Sequence, residues 1–240
     1  MNVIRKIIRT LWIRQYRSAL LRARVFAASE HDGVIDGLGL GTVVDIGANR
    51  GQFALCARRL YPNAKIFSFE PLRKPAETYR KLFGKDLRVK LFDRAISKVP
   101  GSAAMYVSRW DVSSSLLPFA QAQHDNFPFT EESRREIVTV TTLSDCLDAG
   151  SIEGVAMLKL DVQGSELIAL HGCEELLGRF SYVYVEASFI ELYVGQALAT
   201  DVITYLLGNG FKLICVANAS KGHARRPIQA DFLFAASRIS

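Results

Sequence analysis

Short apolar runs alternate with segments of helical periodicity along most of this chain. TVVDIGA (42–48) is an apolar run ending in a glycine turn. QFALCARRL (52–60) then repeats apolar residues at helical spacing until Pro62 and Asn63 stop it. KIFSFEP (65–71) and KPAETYRKLF repeat the strand–helix alternation, and RVKLFDRAIS (88–97) reads as a third strand. GSAAMYVS (101–108) and EIVTVTTL (136–143) alternate with period two, which predicts an inserted antiparallel β-hairpin around a polar, aromatic loop. VAMLKLDV (155–162) reads as a buried apolar strand, SELIALHGCEELLGRF as the helix after it and SYVYVEAS (181–188) as the next strand. A helix around ATDVITYLLGNG precedes FKLICVAN (211–218) and ADFLFAAS (230–237). The basic loop SKGHARRP, and no helix, joins these last two strands, so one of them is expected to run antiparallel. Apolar strands alternating with helices predict an α/β fold with a doubly wound, mostly parallel sheet covered on both faces.

The first 29 residues differ from the rest. Ile4, Ile8, Leu11, Trp12, Tyr16, Ala19, Leu20 and Ala23 recur at helical spacing, with arginines over much of the opposite face. This basic amphipathic helix and a glycine-rich entry, GVIDGLGLG (33–41), are expected to precede one domain spanning 42–240. Three roles stay open for the helix: packing on its own domain or a second subunit, lying on anionic lipid, or serving as a mitochondrial presequence. It lacks the short apolar region and cleavage site of a secretory signal.

Charge sharpens that division. The chain of 240 residues carries a net charge of +6. Residues 1–29 hold seven basic side chains and no acid, so the remainder is close to neutral. No basic patch with interleaved aromatics recurs there, and a nucleic-acid partner is not expected. With 49% apolar residues a sizeable core is available, and no apolar run is long enough to span a membrane. Cys56, Cys146, Cys173 and Cys215 are scattered, without metal-ligand or disulfide spacing, as befits a reducing cytoplasm. The inner face of the membrane is the alternative location if the basic helix binds lipid.

In doubly wound sheets, ligands bind beyond the carboxyl ends of the strands. Asp45, Glu70, Asp93, Asp161 and Glu186 all end expected strands, which suggests one carboxylate-lined cleft. Gly47 and Gly51 flank Ala48, Asn49 and Arg50 in a G-x-x-x-G turn, where backbone can approach a ligand closely. The turn has neither the G-x-G-x-x-G of nicotinamide sites nor the Gly-Lys-Ser/Thr of a triphosphate loop. Glu70, about 20 residues on, is placed to accept both hydroxyls of a ribose. A nucleoside with a cationic tail suits such a cleft, and S-adenosylmethionine has that chemistry. Asp93 is placed beside the adenine, or else is an ordinary loop acid.

VVDIGANRGQF, FSFEP, RAIS, SSSLL (113–117), LKLDVQGSELIALHG and VYVEAS resemble, in order and spacing, the FkbM family of S-adenosylmethionine-dependent methyltransferases over about residues 42–237. The resemblance implies a seven-stranded, Rossmann-like class I methyltransferase fold and methyl transfer to oxygen, commonly on sugar or polyketide hydroxyls. It carries over Asp45, Gly47, Asn49, Gly51 and Glu70 as cofactor contacts, and Ala48 and Ala95 are placed with them. It also places Asp161, Gly164 and Glu166 beside the transferred methyl. Gln163 stands where many members have Glu, and His171 where Lys is usual.

The chemistry needs a hydroxyl aligned with the methyl–sulfur bond and a group to take its proton. Asp161 is the first choice as base or orienter, with capping of the next helix as the structural alternative. Glu166 is a second candidate, or simply favours the helix dipole. Glu186 is a third, or pairs with a basic loop. Ser113, Ser114 and His124 are the acceptor-side candidates, on a loop with Trp110, Phe119, Phe127 and Phe129, and the alternative is an unremarkable connection. His171 and His223 read as surface residues. No residue is assigned to a metal, and metal dependence and oligomeric state are left open. A small-molecule or lipid-linked glycan is the expected acceptor. A non-catalytic scaffold that binds the same cofactor and a nicotinamide-dependent oxidoreductase are the competing functions.

Overall fold

The computed structural model describes residues 3–109, 111–222 and 226–239. Trp110 and His223, singled out above, lie outside these residues, as does the side chain of Ile4. The chain opens with two helices, α1 (Val3–Trp12) and α2 (Arg14–Ala23), broken at Ile13 by an extended backbone, where one helix was expected. A short helix α3 (Asp32–Ile35) follows inside the glycine-rich segment. The alternating elements are then β1 (Thr42–Ile46), α4 (Gln52–Leu60), β2 (Lys65–Phe69), α5 (Arg73–Phe83) and β3 (Val89–Phe92), close to their expected bounds.

The expected third strand, RVKLFDRAIS, divides. Its second part, β4 (Ala95–Ile96), leaves the main sheet and pairs in parallel with β6 (Glu132–Thr141), which pairs antiparallel with β5 (Gly101–Ser108). The predicted hairpin is thus two strands of a three-stranded sheet, and the loop between them contains a helix, α6 (Gln121–Asn126). Beyond it come β7 (Ala156–Leu160), α7 (Glu166–His171), α8 (Glu174–Leu177), β8 (Tyr182–Ser188), α9 (Ala199–Gly208), β9 (Phe211–Lys221) and β10 (Pro227–Ala236). The helix predicted over 165–180 breaks because Gly172 presses on β4's neighbour. A Cβ at Gly172 would sit 2.4 Å from the Ser97 carbonyl oxygen.

The main sheet has seven strands in the order β3-β2-β1-β7-β8-β10-β9, and β10 runs antiparallel to both its neighbours. One of the last two strands is reversed, as expected. β1 and β7 are buried along their whole length, which is why they read as apolar runs. Alternate residues feed two cores. Val44, Ile46, Leu158 and Leu160 meet Ala169 and Leu170 of α7 and Val202 and Leu206 of α9. Val43, Met157, Tyr184 and Leu233 meet Phe53 and Cys56 of α4, and also Tyr16, Ala19, Val25, Ala27 and Ile35.

The N-terminal segment therefore belongs to the second core and does not hang apart from it. Tyr16 is fully buried, and its hydroxyl donates to Asp32 Oδ1 at 2.7 Å while accepting from Arg59 Nε at 2.9 Å. Asp32 Oδ2 is met by Arg59 at 2.9 Å and Arg9 at 3.1 Å. Leu38 donates its N–H to the Tyr61 hydroxyl, which donates to the Ile35 carbonyl, so the glycine-rich entry is fastened as well. Replacing Tyr16 by Ala is expected to destabilise the fold by about 3–5 kcal/mol, the usual cost of removing a large buried ring. Urea unfolding measures this, and an unchanged midpoint would mean that α2 lies on the domain without supporting it.

Candidate active site

The strand order reverses direction between β1 and β7, and a cavity of about 610 Å³ opens beyond the carboxyl ends of β1, β2, β7 and β8. Both its position and its size are those of a small-molecule site. The turn after β1 forms one wall. Gly47 (φ +80°) and Ala48 donate their N–H groups to the Phe69 carbonyl at 3.1 and 3.0 Å. A Cβ on Gly47 would lie 1.9 Å from the Asp161 carbonyl oxygen, and one on Gly51 (φ +89°) 2.8 Å from the Phe83 ring. Close packing of the protein on itself constrains both glycines; Gly47 also lines the cavity, whereas Gly51, expected as a cofactor contact, does not. Asn49 donates its N–H to Glu70 Oε2 at 2.9 Å, Leu72 donates to Glu70 Oε1 at 2.7 Å, and Arg50 donates to Asn49 Oδ1 at 2.9 Å. With the amides of 47–50 all engaged internally, the turn offers no nest for a phosphate. Ala48, Asn49, Glu70 and Ala95 line the cavity, beside apolar Phe69, Leu72 and Ile96.

Beneath the turn lies a charge that the apolar reading of β7 overlooked. Lys159 is buried in the middle of the strand, directly across from Asp45 in the parallel β1–β7 register. Its Nζ is 3.1 Å from Asp45 Oδ1, 3.7 Å from Asp161 Oδ2 and 3.3 Å from the Gly47 carbonyl oxygen. Burial alone would lower the lysine's pKa, but the carboxylates of Asp45, Asp161 and Glu186 outweigh it and hold the ammonium charged. Burial pushes the Asp45 carboxyl up, with Lys159 pulling the other way. Asp45, expected as a direct ligand contact, is fully buried and absent from the cavity wall; it is the counter-charge of Lys159.

The opposite wall carries Asp161, Gln163 and Glu186. The Gln163 amide donates to Asp161 Oδ1 at 2.8 Å and to Glu186 Oε2 at 3.1 Å, and Gln229 donates to Glu186 Oε1 at 2.7 Å. The neutral amide thus bridges two acids that would otherwise repel. The Tyr193 hydroxyl, 2.8 Å from Gln163 Oε1, fixes which way the amide points. Burial, and then the charges of Asp161 and Asp231, raise the Glu186 carboxyl well above the usual range. Glu166 behaves differently. Its Oε1 accepts the N–H groups of Val162 and Gly164, both at 3.1 Å, and burial pushes its pKa up to about 7. It lines neither this cavity nor the smaller one beside it, so the expected catalytic acid is a brace for the turn that carries Gln163.

Three other expectations separate in the same way. Asp93 is exposed and grips Arg80 through both carboxylate oxygens, at 2.5 and 2.6 Å, outside the cavity. Ser114 lines the large cavity, whereas Ser113 lines the smaller one of about 230 Å³, which shares Asp161, Gln163, Glu186 and Gln229 with it. His124 lines neither. The loop coils into α6, which turns neighbouring Gln123 to the small cavity and packs the His124 ring on Phe119. Among the described residues, no three His, Cys, Asp or Glu side chains gather into a metal-binding group.

Residues far apart in sequence complete the cavity without having been expected there. His31 Nδ1 lies 2.8 Å from the Tyr184 hydroxyl and 3.2 Å from Asp231 Oδ2, and Asn218 donates to Asp231 at 2.8 Å. Burial works against an ionised Asp231, but the hydrogen bonds from His31, Asn218 and Tyr184 hold its carboxyl below the usual range. Lys6 and Glu30, paired at 2.8 Å, also border the cavity. No spacing in the sequence marked any of these; among the missed residues, only Lys159, inside the apolar LKL, could have been flagged from the sequence.

Fold and cavity together define a class I, Rossmann-like methyltransferase architecture. A putative O-methyltransferase from Klebsiella pneumoniae superposes with a TM-score of 0.54 at 10% identity, covering 98% of this chain and 96% of that one. The methyltransferase FkbM domain matches residues 45–213, and the chain belongs to that family. It is 32% identical over 167 residues to the 2-O-methyltransferase NoeI of Sinorhizobium fredii, a match covering 64% of this chain and 66% of that protein. It is 27% identical over 197 residues to the 31-O-demethyl-FK506 methyltransferase FkbM of Streptomyces tacrolimicus, covering 72% of this chain and 73% of that protein. The match to NoeI thus spans a little under two thirds of that relative's length.

Replacing Lys159 by Met is expected to cost about 3–5 kcal/mol, because it strands the buried Asp45 carboxylate. Combining it with Asp45→Asn should recover much of that loss. Equal denaturation midpoints for wild type and the single variant would contradict the pairing.

Proposed function

We propose that this chain transfers the methyl group of S-adenosylmethionine to a hydroxyl oxygen of a sugar, glycan or polyketide-type acceptor. The observation that carries the reading is one cavity with Glu70 at one end and the Asp161–Gln163–Glu186 cluster at the other. Membership of the FkbM methyltransferase family supports it, as do two relatives whose names place the methyl on oxygen.

The residues present fit the cofactor. The N–H groups of Asn49 and Leu72 fix the Glu70 carboxylate at the cavity wall, where an acceptor suits the hydroxyls of a ribose. Apolar Leu72, Ala95 and Ile96 beside it suit a flat base, and the absence of an amide nest suits a ligand without phosphate. Carboxylates across the cavity suit a cation. When bound, S-adenosylmethionine supplies a methyl already activated by the sulfonium. The chain's own work is then to hold the acceptor hydroxyl and take its proton. Asp161 and Gln163 orient the hydroxyl, and Glu186 accepts the proton on its carboxylate. Its raised pKa brings it toward the range where a general base works near neutral pH.

Two measurements test this. Glu70→Gln keeps an acceptor oxygen but loses the charge, and is expected to weaken S-adenosylmethionine binding by roughly 10- to 100-fold in calorimetry, as for a lost charged hydrogen bond. Undiminished affinity would move the ribose elsewhere. Glu186→Gln is expected to lower kcat by about 100-fold or more while leaving cofactor affinity intact. Because the base must be ionised, wild-type kcat should climb with pH along a limb above the ordinary carboxylate range, and that limb should vanish in the variant. A limb that persists assigns the base to another group.

A further inference from the structure

Helix α1 is two-faced in a way that the fold leaves unfinished. Its inner side is engaged: Lys6 pairs with Glu30, Arg9 with Asp32, and Thr10 is fully buried. Its outer side carries Ile7, Ile8, Leu11 and Trp12, neighbours at helical spacing, all exposed, with Trp12 at 83%. Leu21 of α2 is 78% exposed, and Phe26 just beyond is exposed too. Isolated exposed apolar residues need no explanation, but a contiguous stripe with a tryptophan at its end marks a surface that is covered in use.

The charge around the stripe identifies what covers it. Arg14, Arg17, Arg22 and Arg24 are all exposed, and none lies within ion-pair distance of a carboxylate among the described residues. Arginines elsewhere divide: Arg58, Arg59, Arg73, Arg80, Arg134 and Arg135 each have an acidic partner, while Arg88 and Arg238 donate to Asn63 and the Phe180 carbonyl. What sets the first four apart is their gathering beside the apolar stripe. An apolar stripe bordered by unpaired guanidinium groups is complementary to a bilayer with anionic headgroups: Trp and aliphatic side chains enter the acyl boundary while arginines meet the phosphates. A second copy of this chain would bring the same positive charge against itself. No helix among the described residues is long and apolar enough to cross a membrane, so the mode is lying on the surface.

We propose that the outer face of α1, with Leu21 and the arginines of α2, docks this protein on the surface of an anionic membrane. The same helix gives Lys6 to the cavity wall. A bilayer under α1 therefore lies within about one helix diameter, about 10 Å, of the cavity rim. Taken with the methyl-transfer reading, on which this last step rests, the acceptor hydroxyl belongs to a molecule held at that surface by a lipid portion.

Co-sedimentation of the full chain with phosphatidylcholine vesicles, with and without phosphatidylglycerol, tests the docking. The expected result is pelleting with the anionic vesicles, little with phosphatidylcholine alone, and release by salt. Leu11→Ala combined with Trp12→Ala should abolish most pelleting, with circular dichroism and thermal midpoint unchanged because both side chains are exposed. Arg14→Gln with Arg17→Gln should weaken pelleting and flatten the salt dependence. Absence of pelleting with anionic vesicles, or pelleting unaffected by either pair, overturns the proposal. So does a dimer in sedimentation velocity that the apolar pair dissolves, since that assigns the stripe to a second copy. Calorimetry with S-adenosylmethionine on the same variants keeps the two readings apart. In the variants, lost pelleting with intact cofactor binding is the expected result. In the wild-type chain, absent pelleting with intact cofactor binding contradicts only the docking, whereas absent cofactor binding with intact pelleting contradicts only the methyltransferase reading.

Discussion

Everything at the top of the sheet hangs on one buried lysine. Lys159 sits across from Asp45 in the interior of two strands buried along their length, and its ammonium reaches Asp45, Asp161 and the Gly47 carbonyl at once. Ion pairs this deep contribute little net stability, because desolvation offsets attraction, but removing either partner is costly. What the pair supplies is position. It holds the turn after β1 from below and sets a positive charge behind Asp161. That lets an acid-rich cavity exist without the acids repelling one another apart. Gln163 does the complementary work from above by donating to both Asp161 and Glu186.

The same logic explains how the candidate site divided. Side chains facing the cavity and side chains facing the protein alternate over very short distances, and residue type does not reveal which is which. Asp45 and Asp161 each end a strand, yet one is a buried counter-charge and the other a wall of the cavity. Glu166 lies five residues after Asp161 and is spent on the N–H groups of its own turn. Glu70 was readable because its distance from the glycine turn fixes where a second parallel strand must end. The strand–helix alternation was readable because apolar runs and helical periodicity are one-dimensional signals. The divided third strand and the divided helix after β7 were not. Both follow from three-dimensional events: β4 pairing with β6, and Gly172 packed against Ser97.

Nine of the 31 residues lining the cavity come from outside the family-matched stretch. Lys6, Glu30 and His31 arrive from the N-terminal segment, and Asn218, Gln229 and Asp231 from the last two strands. The His31–Tyr184–Asp231 contact joins residues as much as 200 positions apart. No spacing rule could have proposed it. The N-terminal segment reaches this place because its Tyr16, Val25 and Ala27 join α4 in completing the core over Tyr184 of β8 and Leu233 of β10. An apolar requirement of the fold thereby delivers polar groups to the cavity.

The central claim is that the cavity joins a methyl donor to a hydroxyl, and product formation tests it most directly. The intact chain, given S-adenosylmethionine with a tritiated methyl group and a panel of sugar, glycolipid and polyketide alcohols, is followed by mass spectrometry and label transfer. The account predicts at least one acceptor that gains label on oxygen, with S-adenosylhomocysteine formed in equal amount. Tight cofactor binding with no S-adenosylhomocysteine from any hydroxyl acceptor, or label appearing on nitrogen or carbon alone, would contradict it.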